Sequence, residues 1–128
     1  MKNLYFFLPL LFLLIGCEAS IKPIITNSQK KLTTNDKVAF LDLKHKIPSD
    51  VIKIGSAKFD DTGFSTDCDF NSNLIKARQI ARDNGANIVK IVESKAPNLW
   101  SSCYRMKVEF YLYNGDVSTL QQYKIQIN

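Results

Sequence analysis

The ten residues from Tyr104 to Tyr113 alternate without a slip. Tyr104, Met106, Val108, Phe110 and Leu112 fall on one side of an extended chain, and Arg105, Lys107, Glu109, Tyr111 and Tyr113 on the other. Successive side chains of a strand point to opposite faces, so this period of two predicts a strand with one packed and one wet face. A longer period governs the segment NSNLIKARQIARDNGAN. There Leu74, Ala77, Ile80, Ala81 and Asn84 recur at three- and four-residue spacing, with Lys76, Arg78, Gln79, Arg82 and Asp83 mostly between them. That spacing predicts an amphipathic helix. Asp69, Asn71 or Ser72 can cap its first amides, and Gly85 can take the left-handed conformation that ends it.

Three further strands follow from composition and punctuation. Ile88-Val89-Lys90-Ile91-Val92 is apolar enough to sit inside a sheet. Residues 38–43 are β-rich and close in a Lys-His-Lys cluster, and Pro48 separates them from a second run containing Val51, Ile52, Ile54 and Phe59. Beyond Tyr113, Asn114-Gly115 is the favoured pair for a type I′ turn, which would fold Val117, Thr119, Gln121, Tyr123, Ile125 and Ile127 back onto the preceding strand. A helical turn over 116–122 is the competing reading. The elements predict an α+β domain: a small mixed sheet of four or five strands in ββαββ order, with the helix on one face and a β-α-β crossover built around it.

The N-terminus carries a pattern of another kind. Lys2 precedes an apolar stretch from Leu4 to Ile15 that ends in Gly16-Cys17-Glu18. A spanning helix needs roughly 20 apolar residues, so the stretch reads as a cleaved secretion signal, residues 1–16. Leu14-Ile15-Gly16-Cys17 resembles the bacterial lipobox, which implies acylation of Cys17 and anchoring to a membrane. Several acyl chains on one residue make a lasting anchor, where one holds only reversibly. Glu18 is not the aspartate associated with inner-membrane retention, so the resemblance favours the outer membrane. Residues 17–36 then read as the lipidated N-terminus and a flexible tether, with a random-coil reach of about 25 Å, and 37–128 as one domain.

The chain has 128 residues and a formal charge of +5, of which Lys2 supplies one. Such a mild excess, with no basic run interleaved with aromatics, argues against nucleic acid as a partner. With Cys17 acylated, two thiols remain, Cys68 and Cys103. In an oxidising envelope a bridge between them would close a loop of about 36 residues and contribute on the order of 3 to 4 kcal/mol. The alternative is a pair of free thiols serving metal or redox chemistry.

FSTDCDF before the helix, GANIVKIVES after it and SSCYRMKVEF beyond resemble the RcsF family of outer-membrane lipoproteins, envelope-stress sensors of the Rcs phosphorelay. The likeness spans about residues 47–110 and the lipobox. It implies a Cys68–Cys103 pairing, an outer-membrane location and a role exercised through envelope proteins. The family's second bridge has no counterpart, because its positions hold about Ser94 and Glu109, and the tether is shorter, with Pro23 alone in place of a proline-rich run.

Candidate chemistry is sparse, and the residues name no cofactor. His45 is the sole histidine, so Ser-His-Asp and Cys-His arrangements all depend on it; beside two lysines it reads as a solvated strand-end residue. No Cys-x-x-Cys is present. Asp60, Asp61, Asp67 and Asp69 cluster in one loop and could collect a hard cation, although their spacing is not that of an EF-hand. His45, Asp69 and reduced Cys68 and Cys103 would form a zinc-like set. A metal-binding lipoprotein is therefore the rival to a non-catalytic binding or sensing module. For the module, the candidate partner residues are Trp100, in the loop KAPNLWSS, and the outward Tyr111 and Tyr113. The alternatives place Trp100 over the sheet edge beside Cys103 and make the tyrosines plain sheet surface.

Overall fold

A computed structural model describes residues 20–61 and 67–125. Cys17 and the signal segment lie outside the described residues, as do Thr62 to Thr66 of the acidic loop and Ile127. The architecture is α+β: five strands form one sheet, one helix lies on it, and a disulfide joins Cys68 to Cys103. In chain order the elements are β1 (Ser20–Ile25), β2 (Ala39–Leu41), β3 (Val51–Asp60), α1 (Phe70–Asp83), β4 (Ile88–Lys95) and β5 (Arg105–Tyr113), followed by a short 3-10 turn, Val117–Thr119.

The sheet order is β1-β3-β5-β4-β2, with only the β2–β4 pair parallel. The helix covers the side where the alternation of β5 points inward. Met106, Val108 and Phe110 meet Ala57 and Phe59 of β3, Val89 and Ile91 of β4, and Leu74, Ala77 and Ala81 of α1 in one buried cluster. Two alanines on the buried stripe let the helix backbone lie close to the strands. Asp69 caps α1, accepting hydrogen bonds from Ser72 N at 2.8 Å and Ser72 Oγ at 2.9 Å. Gly85, at φ 75°, ends it as anticipated.

Two features depart from the sequence reading. The first concerns residues 20–36, expected as tether. Ser20–Ile25 instead forms the edge strand β1, paired antiparallel with β3 from Ser20↔Asp60 to Ile25↔Gly55. Ile21 and Ile25 pack on the main core. The approach at Gly55 is so close that a Cβ there would sit 2.3 Å from the Ile24 carbonyl oxygen, and only glycine fits. The chain then crosses to the end of α1, where Gln29 N donates to Asn84 O and Leu32 N to Arg82 O, both at 2.9 Å. These bonds satisfy carbonyls that a helix C-terminus leaves open. The segment covers two sets of unpaired backbone groups, which gives it a fixed place, and the strand order gains a leading β: βββαββ.

The second is the terminal hairpin. Among the described residues the only positive φ belongs to Gly85, so Asn114-Gly115 makes no type I′ turn. β5 is the central strand, already paired with β3 on one side and β4 on the other, and has no edge left for a returning partner. The 3-10 turn at Val117–Thr119 realises the competing helical reading. Val117 and Leu120 cover Ala39, Leu41 and Ile88 on the sheet face opposite the helix, and Tyr123 bridges to Phe40 of β2.

Candidate functional site

One end of the sheet gathers the first residue of β1, the last of β3 and β4, and the first of β5: Ser20 pairs with Asp60, and Lys95 with Arg105. The β4–β5 loop springs from the same end. Its far side is held by the bridge, with Cys68 and Cys103 Cα atoms 5.0 Å apart and Tyr104 N donating to Cys68 O at 2.9 Å. Its near side is held by Asn98, whose Oδ1 accepts from Trp100 N and Ser101 N at 2.9 Å each. Ser101 is buried and its hydroxyl donates to Asp61. Braced on both sides, the loop carries Leu99 and Trp100 at its tip, 100% and 94% exposed. Trp100 therefore does not fold over the sheet edge.

The open sheet face beside this loop is basic. Lys22 of β1, Lys58 of β3 and Lys107 of β5 stand directly opposite one another in a single cross-strand row that ends at Glu93 of β4. Lys95 and Arg105 lie next to it. Lys58 pairs with Asp60 at 3.2 Å and Lys95 with Glu93 at 3.5 Å, whereas Lys22 and Lys107 take part in no ion pair among the described residues. Directly opposed like charges are unfavourable in a sheet. No local pattern in the sequence marks the row, because its members are far apart in the chain and only strand order aligns them.

Farther along the same face, Tyr111 and Tyr113 pack against the Ala39, Leu41, Ile88 and Val117 cluster. They are half-buried rather than a free outward face. Tyr111 donates its hydroxyl to Glu109 Oε2 at 2.5 Å, and Glu109 also accepts from Lys53 at 2.6 Å. Burial, with the hydrogen bond to the Glu109 carboxylate second, pushes the Tyr111 phenol up to about 12. Burial alone would raise Glu109, but its bonds to Lys53 and Tyr111 outweigh that and leave its carboxyl below the usual value.

Lys90, the polar interruption of β4, is buried. Its ammonium donates to Asp42 O at 2.5 Å, His45 O at 2.6 Å and Leu43 O at 3.2 Å. Burial lowers its pKa, and the charge of Asp42 opposes that. The carbonyls form the turn after β2, in which His45 Nδ1 accepts from Asp42 N at 3.0 Å. His45 is thus a turn-stabilising residue, not a solvated strand end, and Lys90 is the structural residue that the pattern concealed.

The acidic loop is divided among separate duties. Asp60 pairs with Lys58, Asp61 accepts from Ser101, Asp67 pairs with Lys76 at 3.3 Å, and Asp69 caps α1. Among the described residues no three His, Cys, Asp or Glu side chains are grouped to hold a metal ion, and both cysteines of the zinc-like set are joined to each other. No described helix is long and apolar enough to cross a membrane. Comparison with known protein families, curated proteins and solved structures returns no match to this chain.

Proposed function

We propose that this protein is a lipid-anchored module of a bacterial cell envelope that acts by contact with other envelope proteins and performs no catalysis. The observation that carries the reading is the Cys68–Cys103 disulfide. Such bridges persist in oxidising compartments, which agrees with export and with the lipobox Leu14-Ile15-Gly16-Cys17. The finer form of the proposal is outer-membrane placement and relay of envelope stress, as the likeness to the RcsF family implies. Residues 20–36 are engaged in the fold, so such a relay would run through the folded face rather than through a long free tether.

Intact mass spectrometry of the full chain purified from membranes without reductant tests the anchor and the bridge together. The expected species begins at Cys17, carries acyl mass on it, and is two hydrogens lighter than the dithiol form. The Cys17→Ala chain is expected to lose both processing and acylation. A wild-type chain that still starts at Met1, or one free of lipid, overturns the proposal.

A further inference from the structure

The short distance between the acylation site and the fold has a geometric consequence, which rests on the lipid-anchor reading above. Cys17 and Ser20 are three positions apart, and three extended residues span at most about 11 Å. The interfacial layer on each side of a bilayer is itself about 5–8 Å thick. Acyl chains on Cys17 would therefore hold the Ser20 end of the sheet at head-group level. That end presents Leu99 and Trp100, the two most exposed large apolar side chains among the described residues. Trp100 shares one surface depression with Ser20, Lys22 and Arg105, and a second depression, which also includes Arg105, continues to Lys58 and Lys107.

We propose that this corner is a membrane-docking surface: Leu99 and Trp100 enter the boundary between head groups and acyl chains, while Lys22, Lys58 and Lys107 bind anionic head groups of the same leaflet. Tryptophan favours that boundary because its ring is apolar and its N–H stays wet. The lysine row lies two residues, about 7 Å, in from the end of the sheet, so it meets the head groups as the loop tip enters. Anionic head groups also relieve the repulsion among three directly opposed ammonium groups, which two local carboxylates only partly offset. A bilayer accepts an apolar tip with a basic flank, and the anchor already delivers that corner to it.

Trp100 is the single tryptophan of the chain, so its fluorescence reports the contact directly. The acylated full-length protein is reconstituted in phosphatidylcholine vesicles with and without phosphatidylglycerol, with acyl chains brominated near the head group as quenchers. Bromolipid is expected to quench Trp100 about twofold or more in the anionic vesicles. The effect should weaken in 1 M salt and in the Lys22→Gln, Lys58→Gln, Lys107→Gln triple variant, with circular dichroism unchanged. Leu99→Ser keeps the probe and should reduce quenching without altering acylation. Trp100 that stays as open to aqueous iodide in vesicles as in detergent, on protein whose mass shows acylated Cys17, overturns the docking proposal and leaves the anchor intact. So does photocrosslinking from position 99 in cells that yields a protein adduct in place of lipid. Absence of acyl mass on Cys17 defeats the parent reading instead.

Discussion

Tyr123 N donates to the carbonyl of Phe40 at 2.7 Å, so the last described segment closes on β2, some 80 residues earlier, and not on its neighbour β5. The Tyr123 ring also meets Phe70 edge-on, with centroids 5.4 Å apart. Replacing Tyr123 with alanine is expected to destabilise the domain by about 2–3 kcal/mol, through lost packing on a partly buried aromatic. Urea unfolding measures this. Hydrogen exchange should find the Tyr123 amide protected, and a change within about 0.5 kcal/mol, the usual range for surface sites, would contradict the closure.

The disulfide joins the residue before the α1 cap to the segment leading into β5, at a sequence separation of 35. Loop-closure entropy of that length predicts a loss of about 3–4 kcal/mol in the Cys68→Ala, Cys103→Ala protein. Much of that loss should reappear in the wild type on adding reductant. Identical unfolding midpoints with and without reductant would show that the bridge contributes nothing.

Asp69→Ala removes the α1 cap and should cost about 1 kcal/mol. The backbone hydrogen bond from Ser72, then that from its hydroxyl, lowers the Asp69 carboxyl pKa below its ordinary value of 3.8. A depressed carboxyl contributes stability that is present above the unfolded value and lost as pH falls through the folded one. Wild type and variant should therefore converge in stability below pH 3.8, which acid titration of the unfolding midpoint would reveal.

Tyr111 has the opposite sign. Its phenol is raised from 10.0 to about 12, chiefly by burial and then by its bond to Glu109. The folded state holds that proton more tightly, so the contribution is complete below pH 10 and disappears as pH rises towards 12. Absorbance titration should show a late ionisation that is missing in Tyr111→Phe. Lys90 acts the other way: its depressed pKa makes stability rise with pH up to the unfolded value of 10.5. The two effects are separable in the single variants Tyr111→Phe and Lys90→Met.

Lys90→Met retains the length of the side chain but leaves the carbonyls of Asp42, Leu43 and His45 without their donor. Unmet buried acceptors cost roughly 1–3 kcal/mol. Faster amide exchange is expected at His45, whose N–H closes the same turn onto Asp42 O at 3.0 Å. Unchanged exchange there would mean that the ammonium does not hold the turn.

The strong local signals were readable in the chain. The period of two in β5, the helical spacing of Leu74, Ala77 and Ala81, the Asp69 cap and the left-handed Gly85 each depend on residues within one or two turns of each other. Their elements stand where the pattern puts them. Residues 20–25 read as tether in the sequence, because a lone lysine- and proline-bearing strand cannot be told from linker without the β3 edge that receives it.

By itself the sequence determined where α1, β3, β4 and β5 lie along the chain, and which side chains of α1 and β5 turn inward, because helix and strand periods are set by the geometry of the local backbone. β3 and β4 carry bulges, and β4 buries side chains on both faces, so no period names an inward side there. Only the tertiary structure decided which strand lies beside which. An alternating strand names its buried face but not its neighbours; placing β5 between β3 and β4 is what denied the chain its final hairpin, made β1 the cover of β3, and lined up Lys22, Lys58 and Lys107 beside Trp100. Those juxtapositions rest on hydrogen bonds between segments distant in sequence, and no local pattern encodes them.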